Sequence, residues 1–150
     1  MVVRYIILND FFENMNRKAK GTSAERELIH KFWKERWAAI RVAGSGSQRY
    51  PAPDLLVGNN IRKLAIEAKV TKAKQQYFTS KEIYELQEFA ALFGVEPYVA
   101  VKFSKIDWFF LTLEDLEKTE NNYVVSIPIA KRRGITFFDL VDQKMYEKSS

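Results

Sequence analysis

The chain has 150 residues, 47% of them hydrophobic, and a net charge of +5, which is enough apolar content for the core of one domain. It has no cysteine, which excludes a disulfide framework and a thiolate metal site and leaves hard oxygen ligands for any resident metal. No apolar run approaches the ~20 residues of a membrane span, and Met1 to Leu8 is short and lacks a small-residue cleavage site, so a cytoplasmic protein with no membrane partner is expected.

Residues 1–14 are apolar and aromatic, whereas Met15-Asn16-Arg17-Lys18 looks like a fresh start. Residues 1–14 therefore read as an N-terminal extension or a start-site misassignment, with a short packed strand as the alternative, and 15–150 as a single domain. Thr22 or Ser23 is expected to cap a helix with Glu25 in its first turn. Ala24, Leu28, Phe32 and Trp33 recur at helical spacing and carry it to about Arg36. Ala38 to Val42 reads as a strand, and 43–51 as a loop of small residues too polar to bury. Asp54 to Val57 is a short strand ended by the hairpin turn Gly58-Asn59-Asn60, and Lys63 to Val70 is its antiparallel return.

Thr79 or Ser80 caps a second helix through about Phe93, stopped by Gly94. Pro97 to Phe103 and Asp107 to Leu113 read as strands, Leu113 to Leu116 as a helical turn, Tyr123 to Ile127 as an edge strand, and Thr136 to Asp142 as a terminal helix. This order of elements predicts an α+β or α/β sheet with helices on its faces. The charge is uneven: residues 15–50 hold nine Lys/Arg against three Glu, whereas 51–150 hold fourteen of each sign. The positive excess thus surrounds Glu25, as expected of a segment facing phosphates; a solvated basic face is the alternative.

Chemistry is suggested by Asp54 and, thirteen residues later, Glu67-Ala68-Lys69. Residues i and i+2 of a strand share a face, so Glu67 and Lys69 project together while Leu64, Ile66, Ala68 and Val70 take the opposite, core-facing side. Pairing of the two strands would bring Asp54 close to Glu67. Carboxylates a few ångströms apart repel unless a cation lies between them, and magnesium suits such a site. Glu25 on the basic helix is placed to complete the metal shell, directly or through a water. The arrangement fits phosphodiester hydrolysis, with Lys69 either orienting the attacking water or offsetting transition-state charge. Taken singly, Glu-x-Lys is common on exposed strands and Asp54 after Pro53 is a turn residue; the combination is what points to a nuclease.

Lys20-Gly21-Thr22-Ser23-Ala24-Glu25-Arg26-Glu27-Leu28, Arg41-Val42-Ala43-Gly44-Ser45-Gly46-Ser47, Pro53-Asp54-Leu55-Leu56 and Ile66-Glu67-Ala68-Lys69 together resemble the archaeal Holliday-junction resolvases of the PD-(D/E)xK nuclease superfamily. The resemblance covers about residues 15 to 105 and continues in Leu86-Gln87-Glu88-Phe89-Ala90 and Ala100-Val101-Lys102-Phe103. It implies a restriction-endonuclease-like mixed central β-sheet flanked by helices, and a Mg2+-dependent endonuclease that resolves four-way DNA junctions by paired symmetric nicks in recombination and repair. It implies Glu25, Asp54 and Glu67 as magnesium ligands, with manganese as a substitute, and Lys69 as catalytic. Arg26 and Arg41 become DNA-engaging residues and Ser45 a catalytic support. The length before Lys20 departs from the family pattern.

Lys20, Arg49, Lys81 and Lys102 are further candidates for phosphate contact. The Lys131-Arg132-Arg133 cluster reads equally as an exposed turn or a DNA contact. His30 reads as a surface or partly packed residue, and Trp33 and Trp37 as core or helix-packing residues. Two symmetric cuts call for two active sites, hence a C2 homodimer, with Phe89 and Phe93 as its candidate contact. The rival readings are another PD-(D/E)xK endonuclease, restriction-like or mismatch-nicking, and a non-catalytic junction-binding module.

Overall fold

The spacing of Ala24, Leu28 and Phe32 does form a helix. In the computed structural model, which describes residues 21–44 and 47–142, helix α1 covers 21–34. The chain is already helical at Gly21, so Thr22 and Ser23 lie inside α1 instead of capping it, and Glu25 sits deeper than the first turn. The far end closes as a Schellman motif. Arg36 turns left-handed (φ 64°), its amide donates to Trp33 O at 3.1 Å, and that of Trp37 to Phe32 O at 2.9 Å.

Three antiparallel strands follow: β1 (Ala38–Arg41), β2 (Leu55–Gly58) and β3 (Lys63–Thr71). The β2–β3 turn is pinned by Asn59, whose Oδ1 accepts from the amides of Ile61 at 2.9 Å and Arg62 at 2.7 Å. The chain then crosses over through β4 (Gln75–Thr79) and helix α2 (Ser80–Phe93). It returns as β5 (Glu96–Phe103), parallel to β3. The α2 boundaries are those expected: Thr79 caps it in a capping box with Glu82, and Gly94 ends it with φ 81°.

Strand β6 (Phe109–Leu111) is shorter than the expected Asp107 to Leu113 and is followed by a single 3-10 turn, Leu113–Asp115. Next come β7 (Glu117–Lys118), β8 (Asn122–Ser126), helix α3 (Ile127–Arg133), β9 (Ile135–Thr136) and helix α4 (Phe137–Val141). The main sheet runs β1-β2-β3-β5-β6-β9, and β4-β8-β7 form a second, three-stranded sheet. Strand β8, expected at an edge, is therefore the centre of a separate sheet. Lys131-Arg132-Arg133 closes the last turn of α3 instead of forming an open turn.

Both faces of the main sheet are covered. Leu28 and Phe32 of α1, with Phe137 and Leu140 of α4, pack on Leu55, Val57, Leu64, Ile66 and Phe110. On the other face Ile83 and Leu86 of α2, Phe78, Val125 and Ile129 pack on Ala65, Val99, Val101 and Leu111. Of the expected core-facing positions on β3, Val70 is instead exposed, because the strand has run past the helix that covers Leu64 and Ile66. Trp37 is buried but Trp33 is exposed, its indole Nε1 donating to Ala39 O at 3.0 Å. The outcome is the helix-flanked sheet that the order of elements leads one to expect, with the mixed strand directions that the family resemblance implies. Among the described residues, no helix is long and apolar enough to cross a membrane.

Candidate active site

The β2–β3 register pairs Leu55 with Ile66 and Leu56 with Ala65; one step further along, it sets Asp54 opposite Glu67. Asp54 is fixed there by the Ala68 amide, which donates to its Oδ2 at 2.9 Å. Glu67 and Lys69 alternate with Ile66 and Ala68 and so share the α2-side face with Ala65. The acidic pair is electrostatically strained. Burial, with the charge and hydrogen bond of Asp54 and the charge of Glu82, pushes the Glu67 carboxyl from 4.5 up to about 9, against the opposing pull of Lys69. Without a counter-cation the pair therefore keeps a proton at neutral pH.

Lys69 does not point into open solvent. Its Nζ lies 2.8 Å from Glu82 Oε1 and 5.2 Å from the centroid of the Phe78 ring. Glu82 is the residue at this site that sequence reading missed. The available signal was Thr79-x-x-Glu82, a capping box whose acidic member lies in the first turn of α2.

Glu25 is committed elsewhere: its Oε2 accepts from Arg41 Nε at 2.6 Å. The structure thus brings Asp54 and Glu67 together with Lys69 beside them and holds Glu25 on Arg41. Among the described residues, no group of three or more His, Cys, Asp or Glu side chains is gathered for a metal.

The candidate DNA contacts are dispersed. Arg26 is exposed on α1, Lys81 is exposed at the start of α2 beside Glu85, and Arg49 lies with its guanidinium carbon 5.6 Å from the Tyr50 ring centroid. The Lys102 ammonium is taken by Glu27, at 3.1 and 3.2 Å from its two carboxylate oxygens. Ser45 and Lys20 lie outside the described residues, as does the expected extension 1–14. His30 is exposed, as expected. Phe89 and Phe93 stack with ring centroids 5.2 Å apart and planes 15° from parallel, and Tyr50, Tyr84, Leu92 and Phe93 all expose large apolar surface.

Comparison with known proteins extends this reading. The model of a family described as archaeal Holliday junction resolvase (hjc) matches residues 16–149. The chain is 44% identical to the crossover junction endodeoxyribonuclease Hjc of Archaeoglobus fulgidus over 135 residues, covering 85% of this chain and 99% of that protein. It is 34% identical to the Hjc of Methanocaldococcus jannaschii over 122 residues, 81% of this chain and 86% of that one. The solved structure of Archaeoglobus fulgidus Hjc, a Holliday junction resolvase from an archaeal hyperthermophile, superposes with a TM-score of 0.77 at 38% identity, covering 81% of this chain and all of that one.

Proposed function

This chain belongs to the family of archaeal Holliday junction resolvases, and from that premise we propose that Asp54 and Glu67 hold a divalent cation while Lys69 acts beside them on the scissile phosphate. The protein is a structure-selective endonuclease that resolves four-way DNA junctions, and its nuclease activity depends on a divalent metal. The observation that carries the site assignment is the convergence of Asp54 and Glu67 across the hairpin.

The residues fit such a cation. Two half-buried carboxyls that meet at the edge of a core either share a proton or take a positive charge between them. An oxygen-only donor set suits magnesium, which binds one or two carboxylates and keeps the rest of its shell for water and phosphate; manganese would substitute. When bound, the cation supplies Lewis-acid polarisation of the phosphate and lowers the pKa of a coordinated water. Lys69, on the same face, orients the attacking water or offsets charge developing on the phosphoryl oxygens. Glu25 and Arg41, ion-paired with each other, belong to the same site, as its third carboxylate and a phosphate donor.

Junction DNA is recognised by its branched shape and phosphate disposition. Exposed Arg26, Arg49 and Lys81 supply contacts together with Lys20, and Lys102 contributes to the field around them. Ser45, which lies outside the described residues, supports cleavage. The exposed apolar surface of α2 around Phe89 and Phe93, with Tyr50 nearby, supports a C2 homodimer, which would present two active sites to the two strands to be cut.

The test is magnesium-dependent cleavage of a mobile four-way junction with strand-resolved products, beside a linear duplex of the same sequence. Asp54→Ala should lower the nicking rate by more than about 100-fold, the effect of removing a transition-state contact worth ~3 kcal/mol, while junction binding persists. Full activity in that variant would overturn the site assignment.

A further inference from the structure

We propose that Glu82 is a positioning residue for junction cleavage: it holds the Lys69 ammonium in place by tying the catalytic strand β3 to the N-terminus of α2. The proposal rests on the reading of Lys69 as a group that acts on the scissile phosphate.

Glu82 uses both carboxylate oxygens for separate tasks. Oε1 receives Lys69 Nζ at 2.8 Å, and Oε2 receives the Thr79 amide at 2.8 Å. The Thr79 hydroxyl accepts from the Glu82 amide at 3.1 Å, a helix-end bond separate from the two that the carboxylate receives. Thr79 is itself fixed by strand pairing opposite Asn122 on β8. The clamp thus leads from the second sheet through the start of α2 to Lys69. Beneath it lies the fully buried Phe78 ring, with Lys69 Nζ above it.

A lysine side chain has four rotatable bonds, and immobilising it costs up to ~2 kcal/mol of conformational entropy. Here the bond to Glu82 and the Phe78 ring hold the ammonium, and ordering in advance is how a positioned group contributes to rate. An ordinary capping box needs only the helix-end bonds; it does not need a lysine from a neighbouring strand. The Lys69 contact is therefore separable from the cap. Glu82→Gln keeps an amide oxygen for the Thr79 amide but loses the anionic partner of Lys69. Thr79→Ala loses half of the cap but keeps that partner.

The experiment compares four full-length proteins, wild type, Glu82→Gln, Thr79→Ala and Lys69→Ala, in single-turnover cleavage of a four-way junction at saturating enzyme with magnesium. Junction affinity, melting temperature and solvent protection of the Lys69 side-chain ammonium by NMR are measured in parallel. Glu82→Gln should cleave on the order of 10- to 100-fold more slowly with unchanged junction affinity, and should lose protection of the Lys69 ammonium. Thr79→Ala should melt earlier yet keep both the rate and the protection. Wild-type cleavage by Glu82→Gln alongside an inactive Lys69→Ala overturns the proposal and leaves the role of Lys69 standing. A wild-type rate in Lys69→Ala overturns the reading of Lys69 itself. Equal rate losses in Glu82→Gln and Thr79→Ala would reduce Glu82 to a helix cap.

Discussion

Replacing Glu67 with glutamine should make the metal-free protein more stable at neutral pH while removing its response to magnesium. In the folded, metal-free chain the Glu67 carboxyl is raised from 4.5 to about 9, chiefly by burial and then by Asp54. A carboxyl whose folded value lies above its unfolded one contributes stability that is complete below about 4.5 and is lost as the pH rises through about 9. Between those limits the loss is about 1.4 kcal/mol per pH unit, so at pH 7 the wild-type protein is down by about 3 kcal/mol relative to pH 4. Glutamine does not ionise, and its amide can donate to Asp54 as the protonated acid does. Thermal or urea unfolding of both proteins in EDTA from pH 4 to pH 8 reads this directly, because any pH-independent effect of the amide cancels in the difference. About 3 kcal/mol corresponds to a shift on the order of 10 °C in midpoint for a domain of this size. Magnesium favours the ionised pair, so it should raise the wild-type midpoint and leave that of Glu67→Gln nearly unchanged. A wild-type-minus-variant difference that stays flat from pH 4 to pH 8 would refute the strained-pair argument.

Two further outcomes are expected. Arg36→Gly should raise unfolding stability by about 1 kcal/mol, since a left-handed residue at a helix C-terminus is strained with a side chain and relaxed as glycine; a lower stability would show that the Arg36 side chain contributes more than its backbone strain costs. Phe93→Glu should shift the protein toward monomer in light scattering and uncouple the two nicks on a junction; a stable dimer with paired cleavage would place the subunit contact on another surface.

The parts of the fold visible in the sequence were those governed by local rules. Thr79 and Gly94 bracket α2 because capping chemistry acts within one turn, and the Asp54–Glu67 pairing follows from a short hairpin with alternating faces. The missed parts depend on distant partners. Gln75–Thr79 buries only Phe78 fully, so its strand character comes from pairing with β8, far along the chain. Ile127 read as the end of a strand and Lys131-Arg132-Arg133 as an exposed turn or a DNA contact; a Ser126 cap and an early proline make Ile127–Arg133 a helix. The salt bridge of Glu25 with Arg41 joins groups on a helix and a strand, and no spacing rule relates those two faces. The ion pair of Lys102 with Glu27 likewise joins β5 to α1, a contact between elements far apart in the chain.

The Asn59 turn sets limits on how this gene can change length. Because side chains alternate along β3, adding or removing one residue between Asn59 and Arg62 would slip β2 against β3, or force a bulge, and take Asp54 out of line with Glu67. The length of this turn should therefore stay fixed among related chains; the four-residue hairpin connection acts as the reading frame of the active site.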